Sequence, residues 1–573
     1  MRYKKFCIRN YKAIEDLAIN LNRNVIPLIG VNESGKTSIL QAILAFDKDK
    51  DNILGGGHAN PKNKYKTTQA SCQLIASIEI ENEDEFRSIG EEIRLRMDNP
   101  LYDWLKSAFV DKREISIMRN YGDGALQRNY SLVNESDDII SNPKASSLIT
   151  ALVKRLPNIL YFDDFSDRVP EVVSFPENYV NDGALSRGKD REWQEIIVEI
   201  FSRALQEEFS LTKFLKLTDD DDQDNYLSDV TNTLNREIIE EWQKLKTAFS
   251  QFSDDSDKLE LSIKYIPSNK PTFKFKVIDS ENSGNDRMFD VSQRSKGFQW
   301  FFNFIMKLKF NPKYKLNPEN AIYLLDEPGS YLHSSAQTEL LKKLCNIAEN
   351  NTIIYCTHSQ YLLDPDIINI GGIKIVSKAD SHISLVDYGN SSLTRSLGAF
   401  SALNDALHLK FGFHENILKQ CVLVEGIVDY YFYKMFFNFN NINIIPGAGC
   451  GHLRELISIM ISCSEKFLVV LDYDNEGRAS YNSYSHFFKE SFTNRAYQYE
   501  GVRNNTDFML ENILSTDDIE KIKFAMNCED IKNAIVALYF KDEETKSNVV
   551  NGIDKDTSRN INIIQRKIDE FFK

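Results

Sequence analysis

The sequence of 573 residues lacks the features that place a protein in or across a membrane. It contains no run of about eighteen or more apolar residues, the length that a membrane-spanning helix requires. Residues 1–24 alternate charged and apolar positions and include no signal-peptide core. We therefore expect a cytoplasmic protein without a membrane partner.

Cysteine pairs and an excess of positive charge are also missing. The eight cysteines form no Cys-x-x-Cys pair, which argues against a zinc site or a disulfide framework. The formal net charge of −15 disfavours a protein that coats nucleic acid with a wholly basic surface. A DNA enzyme with a local basic groove and metal-bridged phosphates stays compatible with that charge. Hydrophobic residues make up 42%, and a chain of this length requires about two to four domains.

The clearest motif that is present is a phosphate-binding loop near the N-terminus. Residues 30–37 follow the pattern Gly-x-x-x-x-Gly-Lys-Thr, between an apolar run that predicts a strand and a stretch that predicts a helix. The glycines and the helix N-terminus can direct backbone amides at a phosphate. Lys36 is placed to reach the β- and γ-phosphates of ATP, and the Thr37 hydroxyl to ligate Mg²⁺. The predicted nucleotide-binding residues of this loop are Gly30, Asn32, Gly35, Lys36, Thr37 and Ser38.

Two later apolar strands carry further residues of a nucleotide site. The first ends in Asp326 and Glu327, a pattern in which the aspartate holds Mg²⁺ through water and the glutamate polarises the attacking water. The second ends close to His358, which we expect to contact the γ-phosphate as a switch. Together with the phosphate loop, these residues predict an ATPase site.

Ser295 and Gly297 open a predicted helix upstream of that aspartate. The N-terminal amides of this helix can bind a phosphate supplied by the nucleotide of a second subunit, which predicts a homodimer or a larger homo-oligomer. Residues 190–250 show helical periodicity on both sides of the acidic run 219–224, which we interpret as a solvated loop and not a metal site. These helices form either a projecting, dimerising arm or a layer packed within one subunit.

Acidic residues follow two apolar strands in the last third of the chain. Glu425 ends one strand with Asp429 four residues later, and Asp472 and Asp474 end another. Strands that alternate with helices predict a parallel sheet, whose carboxyl strand ends share one edge. Four carboxylates at that edge can bind Mg²⁺ or Mn²⁺, and two such ions can activate water for phosphodiester cleavage. The sequence therefore predicts a metal-dependent cleavage site.

These motifs resemble two known groups of proteins. The phosphate loop, the opening Ile-Arg-Asn-Tyr-Lys-Ala-Ile, the Leu-Leu-Asp-Glu-Pro strand end and Tyr-Cys-Thr-His-Ser resemble the ABC-type ATPases of DNA maintenance. Glu-Gly-x-x-Asp followed by Asp-x-Asp resembles the Toprim domain of topoisomerases, primases and related nucleases. The two in this order are similar to the OLD (overcoming lysogenization defect) family, which includes Gabija-type and retron-associated antiphage effectors.

The resemblance implies an ATP-regulated DNA endonuclease that depends on Mg²⁺ or Mn²⁺ and acts in antiphage defence. It also implies a further acid in the metal site, for which Glu511 is favoured over Asp507, and a lysine that is either Lys541 or Lys546. By architecture, a partner protein would be helicase-like, or a reverse transcriptase with its RNA–DNA product. Two other functions stay open: a DNA-clamping or signalling ATPase with an inactive Toprim domain, and a Toprim enzyme acting on RNA or nucleotides.

The implied fold class is α/β, with an ABC-type ATPase head, a helical insertion and a Toprim domain built on a Rossmann-like parallel sheet. The predicted domains are the N-terminal part of the ATPase (1–188), the helical insertion (189–255), the C-terminal part of the ATPase (256–395) and the Toprim domain (396–573).

Overall fold

The computed structural model shows two compact units. Unit 1 comprises Met1–Leu362 and Gly372–Val386, and unit 2 comprises Leu363–Gly371 and Asp387–Lys573. The predicted domain boundaries near 188, 255 and 395 lie outside the described residues. The structure describes residues 1–47, 71–96, 98–121, 130–134, 136–163, 169–186, 190–204, 210–242, 258–280, 286–310, 320–379, 382–387, 420–439, 442–447, 449–450, 453–463, 466–499 and 507–573.

Strands and helices alternate over much of the chain. The strands are β1 (Arg2–Tyr11), β2 (Ile14–Asn20), β3 (Val25–Ile29), β4 (Cys72–Glu79), β5 (Ile115–Tyr121), β6 (Tyr130–Val133), β7 (Ile159–Asp163), β8 (Val173–Ser174), β9 (Lys258–Ile266), β10 (Thr272–Ser280), β11 (Asp286–Asp290), β12 (Ile322–Asp326), β13 (Thr352–Cys356), β14 (Lys374–Ala379), β15 (His382–Asp387), β16 (Gln420–Val424), β17 (Ile442–Pro446), β18 (Phe467–Leu471) and β19 (Ala496–Gln498). The α-helices are α1 (Lys36–Leu44), α2 (Glu83–Glu92), α3 (Pro100–Val110), α4 (Ala145–Arg155), α5 (Tyr179–Asp182), α6 (Asp190–Ala204), α7 (Leu211–Phe214), α8 (Asp220–Leu234), α9 (Lys296–Phe310), α10 (Ser334–Ala348), α11 (Ile427–Phe436), α12 (Arg454–Cys463), α13 (Asn475–Phe488), α14 (Glu490–Thr493), α15 (Thr516–Met526), α16 (Ile531–Tyr539), α17 (Glu543–Asn551) and α18 (Lys555–Phe572).

Unit 1 is organised around a six-stranded sheet in the order β15-β14-β3-β13-β12-β7. The pairs β14–β3, β3–β13, β13–β12 and β12–β7 are parallel. Most residues of β3, β12 and β13 are buried, as expected for parallel strands that are covered on both faces. The strand before the phosphate loop, β3, therefore lies between β13 and β14. The strand that ends in Asp326, β12, lies on the other side of β13.

Two antiparallel sheets complete the β-structure of unit 1. One has the order β2-β1-β4-β5-β6, and α1 packs between β1 and the parallel sheet. The other has the order β11-β10-β8, with β9 also paired to β10. Buried and more exposed residues alternate along β1 and β2, so one face of each strand is buried, as the sequence pattern predicts.

Helices α6 and α8 pack on each other, α8 contacts β9, and α6 contacts α9. Their apolar faces, which include Trp193 and Ile197, are buried within unit 1. The acidic run 219–224 is not the predicted loop, because Asp219 caps α8 and the following aspartates form its first turn. Carboxylates at a helix N-terminus accept hydrogen bonds from the unpaired backbone amides, and their negative charge is attracted to the positive end of the helix dipole. The run of aspartates therefore stabilises the start of α8.

Unit 2 contains a four-stranded sheet in the order β17-β16-β18-β19, and every pair in it is parallel. Helices α11, α12, α13, α15, α16 and α18 contribute buried side chains to the hydrophobic clusters around this sheet. Over the ranges that the structure describes, no helix has the length and apolar content needed to cross a bilayer. The parallel order places the ends of β16 and β18, and the acids that follow them, side by side.

Candidate nucleotide and metal sites

The phosphate loop joins β3 to α1 in a conformation that requires its glycines. Gly35 has φ 105°, in the left-handed region, and a Cβ there would meet the Ile383 side chain at 2.2 Å. A Cβ on Gly30 would lie 2.2 Å from the carbonyl oxygen of Val376. Both glycines are therefore fixed by close packing against the β14–β15 part of the sheet.

Lys36 begins α1 and is buried, with its ammonium held by the loop. The Lys36 Nζ donates to the carbonyl oxygens of Gly30 at 3.0 Å and Val31 at 3.3 Å, and lies 2.8 Å from His358 Nε2. Burial lowers the pKa of Lys36, an effect opposed by Cys356, Glu327 and Asp326. Burial, followed by the Lys36 charge, lowers the pKa of His358, so its imidazole is neutral near pH 7.

The two acids that end β12 face this loop. Thr37 Oγ1 donates to Asp326 Oδ1 at 3.2 Å, and the Tyr161 hydroxyl donates to Asp326 Oδ2 at 3.3 Å. Hydroxyl and carboxylate oxygens side by side are the ligand set that holds Mg²⁺ in phosphate-loop ATPases. Asn32 and Thr37 are exposed and Ser38 is half-buried, so the loop presents polar groups at its open side.

Glu327 has a positive φ of 50°, an uncommon conformation for a side chain of this size. Its amide donates to the Cys356 carbonyl at 3.1 Å, and its carboxylate accepts from the His358 amide at 3.2 Å. His358 Nε2 lies 3.5 Å from the same carboxylate. The structure thus gathers Lys36, Thr37, Asp326, Glu327 and His358 around one loop.

Ser295 and Gly297 lie at the start of α9. Ser295 Oγ accepts from the Phe298 amide at 3.3 Å, as an N-cap does. A Cβ on Gly297 would lie 3.1 Å from the Tyr331 carbonyl, so this helix end packs directly on the chain that follows Glu327. Both residues have a role in packing whether or not they contact a nucleotide.

In unit 2, hydrogen bonds join the acids at the ends of β16 and β18. The Asp472 amide donates to Glu425 Oε1 at 2.7 Å, and the Leu510 amide donates to Asp472 Oδ1 at 3.1 Å. Asp429 Oδ2 accepts from the Gly426 amide at 2.9 Å at the start of α11. These bonds gather three chain segments at the carboxyl edge of the sheet.

Three of these acids bind protons more tightly than usual. Burial, with repulsion from Asp429, Asp474 and Glu476, raises the pKa of Glu425 to about 7. Burial and the nearby Asp472 raise the pKa of Asp429 to about 7. Burial, followed by the charges of Glu425, Glu511 and Asp474, raises the pKa of Asp472 to about 8. Such mutual repulsion is typical of carboxylates that share a functional site.

Glu511 approaches this cluster from a 3₁₀ turn at Leu510–Ile513. Its Oε1 pairs with Lys532 Nζ at 2.8 Å, and within the described residues its buried Oε2 has no hydrogen-bond partner. The alternative acid, Asp507, is more than half exposed and pairs with Arg478 at 2.8 Å. Of the two acids left open by the sequence, the structure places Glu511 beside the cluster.

Within the described residues, the lysine that contacts the cluster is Lys532, and no contact of Lys541 or Lys546 with the cluster is found there. Lys532 lies near the start of α16, and its charge also acts on Asp429 and Asp472. Lys546 instead bonds Glu543 one turn away on α17, and Lys541 follows the end of α16. The sequence indicated the charged segment after residue 540, whereas nothing in the sequence marks Lys532.

Asp474 lies close enough for its charge to act on Glu425 and Asp472, and it also caps a helix. Its Oδ1 accepts from the Gly477 amide at 2.7 Å and caps α13, so this carboxylate has a structural role. As the side chains stand, no group of three or more His, Cys, Asp or Glu residues in the described ranges is arranged to hold a metal ion. The chemistry of the donors nevertheless fits a hard cation, because oxygen ligands are concentrated there and Glu511 Oε2 is buried without a donor.

The buried Lys36 at a strand–loop–helix junction, opposite Asp326 and Glu327, defines a phosphate-loop ATPase domain. The AAA ATPase domain family matches residues 1–165 and 177–363, and the chain belongs to that family. The predicted α/β fold class with an ATPase head is confirmed.

Two curated relatives extend the similarity beyond unit 1. The chain is 25% identical to Endonuclease GajA of Bacillus cereus (strain VD045) over 437 residues, 74% of this chain and 66% of that protein. It is 22% identical to the Retron Vc95 probable ATPase of Vibrio cholerae serotype O1 biovar El Tor over 457 residues, 75% of this chain and 84% of that protein. The chain thus spans just under two thirds of GajA. These matches confirm the resemblance to the OLD family and its Gabija-type members.

Among solved structures, an Smc head bound to the C-winged helix domain of ScpA is 14% identical, with a TM-score of 0.38. That match covers 67% of this chain and 97% of the Smc chain.

Proposed function

We propose that the chain is an ATP-regulated, divalent-metal-dependent DNA endonuclease that acts in antiphage defence. The observation that carries the proposal is the group of acids Glu425, Asp429, Asp472 and Glu511 at one sheet edge, in a chain that also has an ATPase domain. The similarity to a protein named Endonuclease GajA supports an endonuclease activity.

Glu425, Asp429, Asp472, Asp474 and Glu511 would hold Mg²⁺ or Mn²⁺ in unit 2, and Thr37 with Asp326 would hold Mg²⁺ in unit 1. When bound in unit 2, such ions supply an activated water and stabilise the leaving oxygen of the phosphodiester. Lys532 neutralises charge next to Glu511 and is the cation available to the scissile phosphate. In unit 1, Lys36 would contact the β- and γ-phosphates of bound ATP, Glu327 would orient the attacking water, and His358 would sense the γ-phosphate.

The function is tested with supercoiled plasmid, linear duplex and single-stranded DNA, each with Mg²⁺ or Mn²⁺ and with or without ATP. We expect cleavage of at least one DNA form that requires the metal and changes in rate with ATP. ATP hydrolysis without cleavage of any DNA would contradict the proposal. RNA and nucleotides in the same panel test whether the site acts on those substrates instead.

A DNA-clamping or signalling ATPase with an inactive Toprim domain is the second candidate. The observation that favours it is that Asp474 caps α13, that Asp429 bonds the amide at the start of α11, and that no metal-binding group is formed in the described residues. If this candidate is correct, the protein binds DNA and hydrolyses ATP, and substitution of Asp472 changes neither activity.

Assembly and partners belong to the same proposal. Two ATPase heads would sandwich ATP, with Ser295 and Gly297 of one subunit facing the phosphates of the other, which makes the active form at least a homodimer. A dimerising role for 189–255 is part of this proposal, as are a helicase-like or reverse-transcriptase partner and a cytoplasmic location. Light scattering with and without ATP measures the assembly, and a Ser295→Arg variant should stay monomeric.

Lys532→Ala should lower the rate of DNA cleavage by about tenfold, because it removes the positive charge that pairs with Glu511 and acts on Asp429 and Asp472, an interaction weakened by the solvent exposure of the lysine. Lys541→Ala and Lys546→Ala are matched controls on the neighbouring surface and should retain wild-type rates. Cleavage kinetics on one plasmid substrate compare all three. Equal rates for Lys532→Ala and the wild type would show that Lys532 does not contribute to cleavage.

Without divalent metal, the protein should lose stability as the pH rises from about 4 to about 8. The pKa values of Glu425, Asp429 and Asp472 are raised in the folded state, so their contribution is fully present below the unfolded pKa values and is lost as the pH passes the folded values near 7 and 8. Thermal denaturation between pH 5 and pH 8 measures this loss.

Added Mg²⁺ should raise the melting temperature more at pH 8 than at pH 5, because the ligands must be deprotonated. The variant Asp472→Asn should be more stable than the wild type at pH 8 in the absence of metal and should gain less from Mg²⁺. A wild-type response to Mg²⁺ that is equal at both pH values would contradict metal binding by these acids.

A further inference from the structure

In the sequence, a short segment of unit 2 lies between two strands of the ATPase sheet. The chain leaves unit 1 after Leu362, contributes Leu363–Gly371 to unit 2, and returns to unit 1 at Gly372. The strands before and after this segment are β13 and β14, which pair with β3 on its two sides. Both ends of the segment are therefore covalently attached to the strands that flank the phosphate-loop strand.

His358 lies in unit 1, five residues before the segment begins at Leu363. This residue touches both Lys36 and Glu327, and the Tyr355 hydroxyl donates to the Leu362 carbonyl, which fixes the turn that follows. A triphosphate in the loop would recruit the Lys36 ammonium and so change the partner of His358. That change would occur only a few residues before the chain passes into unit 2 at Leu363.

Inside unit 2, three tyrosine hydroxyls form hydrogen bonds to the segment. Asp366 Oδ1 accepts hydrogen bonds from the hydroxyls of Tyr430 and Tyr539, the latter at 3.2 Å, and Lys434 Nζ lies 4.0 Å from Asp366 Oδ2. The Tyr431 hydroxyl lies 3.3 Å from the carbonyl oxygens of Pro365 and Ile368. Tyr430 and Tyr431 are 1% and 0% exposed, so the contacts of the Tyr431 hydroxyl are shielded from water and are costly to break. Asp366 itself lies at the surface, where the Tyr430 and Tyr539 hydroxyls and Lys434 converge on its carboxylate.

The same tyrosines lie on the two helices that carry residues of the acid cluster. Tyr430 directly follows Asp429 on α11, and Tyr539 lies two turns after Lys532 on α16. The rings of Tyr431 and Tyr539 pack with centroids 4.5 Å apart, which joins the two helices at Asp366. A shift of Asp366 would therefore move Asp429 and Lys532 together.

We propose that Asp366 is a positioning residue for the acid cluster and the point at which the nucleotide state of unit 1 reaches it. Through Tyr430 and Tyr539 it sets the positions of α11 and α16, and through the covalent link to His358 it responds to the occupant of the phosphate loop. This inference rests on the proposed function for its effect on DNA cleavage. Its structural part, a nucleotide-dependent change in α11 and α16, stands without it.

The test is hydrogen exchange of the full chain with and without a non-hydrolysable ATP analogue. In the wild type we expect the analogue to change the exchange of residues 427–436 and 531–539. In Asp366→Asn that change should disappear while the analogue still alters exchange of the phosphate loop. Nucleotide-dependent exchange of both helices that persists in Asp366→Asn overturns the proposal, as does its absence from the wild type.

Asp518→Asn is the matched control, because Asp518 is a buried carboxylate of the same unit that accepts hydrogen bonds from Thr557 and the Asp554 amide. It should lower stability and leave the nucleotide response unchanged. Tyr430→Phe, which removes a single hydroxyl, provides a second variant if Asp366→Asn does not fold. It should reduce the nucleotide response of residues 427–436, and a full response contradicts the role of the Tyr430–Asp366 bond.

DNA cleavage is the second readout. Coupling between two sites typically changes an equilibrium by about 5- to 150-fold, and in Asp366→Asn the ratio of cleavage rates with and without ATP should become about one, whether ATP raises or lowers the rate in the wild type. Asp518→Asn should keep the wild-type ratio. If the wild type cleaves no DNA, the proposed function fails, whereas the exchange experiment still decides the role of Asp366.

Discussion

Asp472→Asn should abolish DNA cleavage, with a loss of about a thousandfold or more, and leave ATP binding unchanged. Asp472 ends β18 at the centre of the acid cluster, where its amide bonds Glu425 and its carboxylate accepts from Leu510. An amide of the same shape keeps an acceptor for the Leu510 amide but removes the charge that a metal ion requires. Charge stabilisation by bound metal is worth several kcal/mol in the transition state, which corresponds to this factor.

Asp507→Asn is the matched control for this variant. Asp507 lies in the same unit, but it is exposed and pairs with Arg478 outside the cluster. Its substitution should leave cleavage within about twofold of the wild type, since exposed ion pairs contribute little. A wild-type cleavage rate for Asp472→Asn would show that the acid cluster does not perform the chemistry. A large loss of cleavage in Asp507→Asn would show that Asp507 also belongs to the cleavage site.

Lys36→Ala should weaken ATP binding by about a hundredfold, because the lysine would make charge-assisted bonds to two phosphates, each worth about 1.5–3 kcal/mol. Lys36 is buried at the start of α1 and contacts only the loop carbonyls and His358 among its recorded hydrogen-bond partners. Its loss therefore removes the cation for the phosphates and the contact of the switch histidine. Fluorescent-nucleotide titration measures the affinity.

Lys4→Ala controls for the loss of a lysine from unit 1. Lys4 lies on β1 and pairs with Glu79 at 3.0 Å, and the ATP affinity should not change. The cleavage rate of Lys36→Ala should also become independent of ATP. ATP affinity equal to that of the wild type in Lys36→Ala would show that the loop is not the nucleotide site.

The parallel sheets of both units could be predicted from the sequence because their strands are continuous apolar runs. The apolar run of β3 ends at the phosphate loop, and that of β12 ends at Asp326. In both places the end of the buried strand is also the start of the polar residues that form the site. The order of the strands could not be predicted, since pairing of β13 between β3 and β12 depends on contacts distant in sequence. The acidic run at 219–224 was misinterpreted because its capping role shows only once α8 is formed.

The acid cluster was predictable as a set of strand-end carboxylates, but the detailed positions within it were not. Asp474 follows the same alternation as Asp472, and only the start of α13 shows that its carboxylate caps a helix. Lys532 and Asp366 reach their partners through helix packing, and neither is part of a local pattern. Residues that act through tertiary contacts leave no spacing that a single sequence reveals.

The central claim is that ATP binds in unit 1 while DNA is cleaved at the acid cluster of unit 2. It is tested most directly by measuring Mg²⁺-dependent plasmid cleavage and ATP affinity on the same preparations of wild type and Asp472→Asn. We expect the wild type to cleave plasmid and to bind ATP. We expect Asp472→Asn to bind ATP with wild-type affinity and to cleave no plasmid. Plasmid cleavage by Asp472→Asn at the wild-type rate would contradict it.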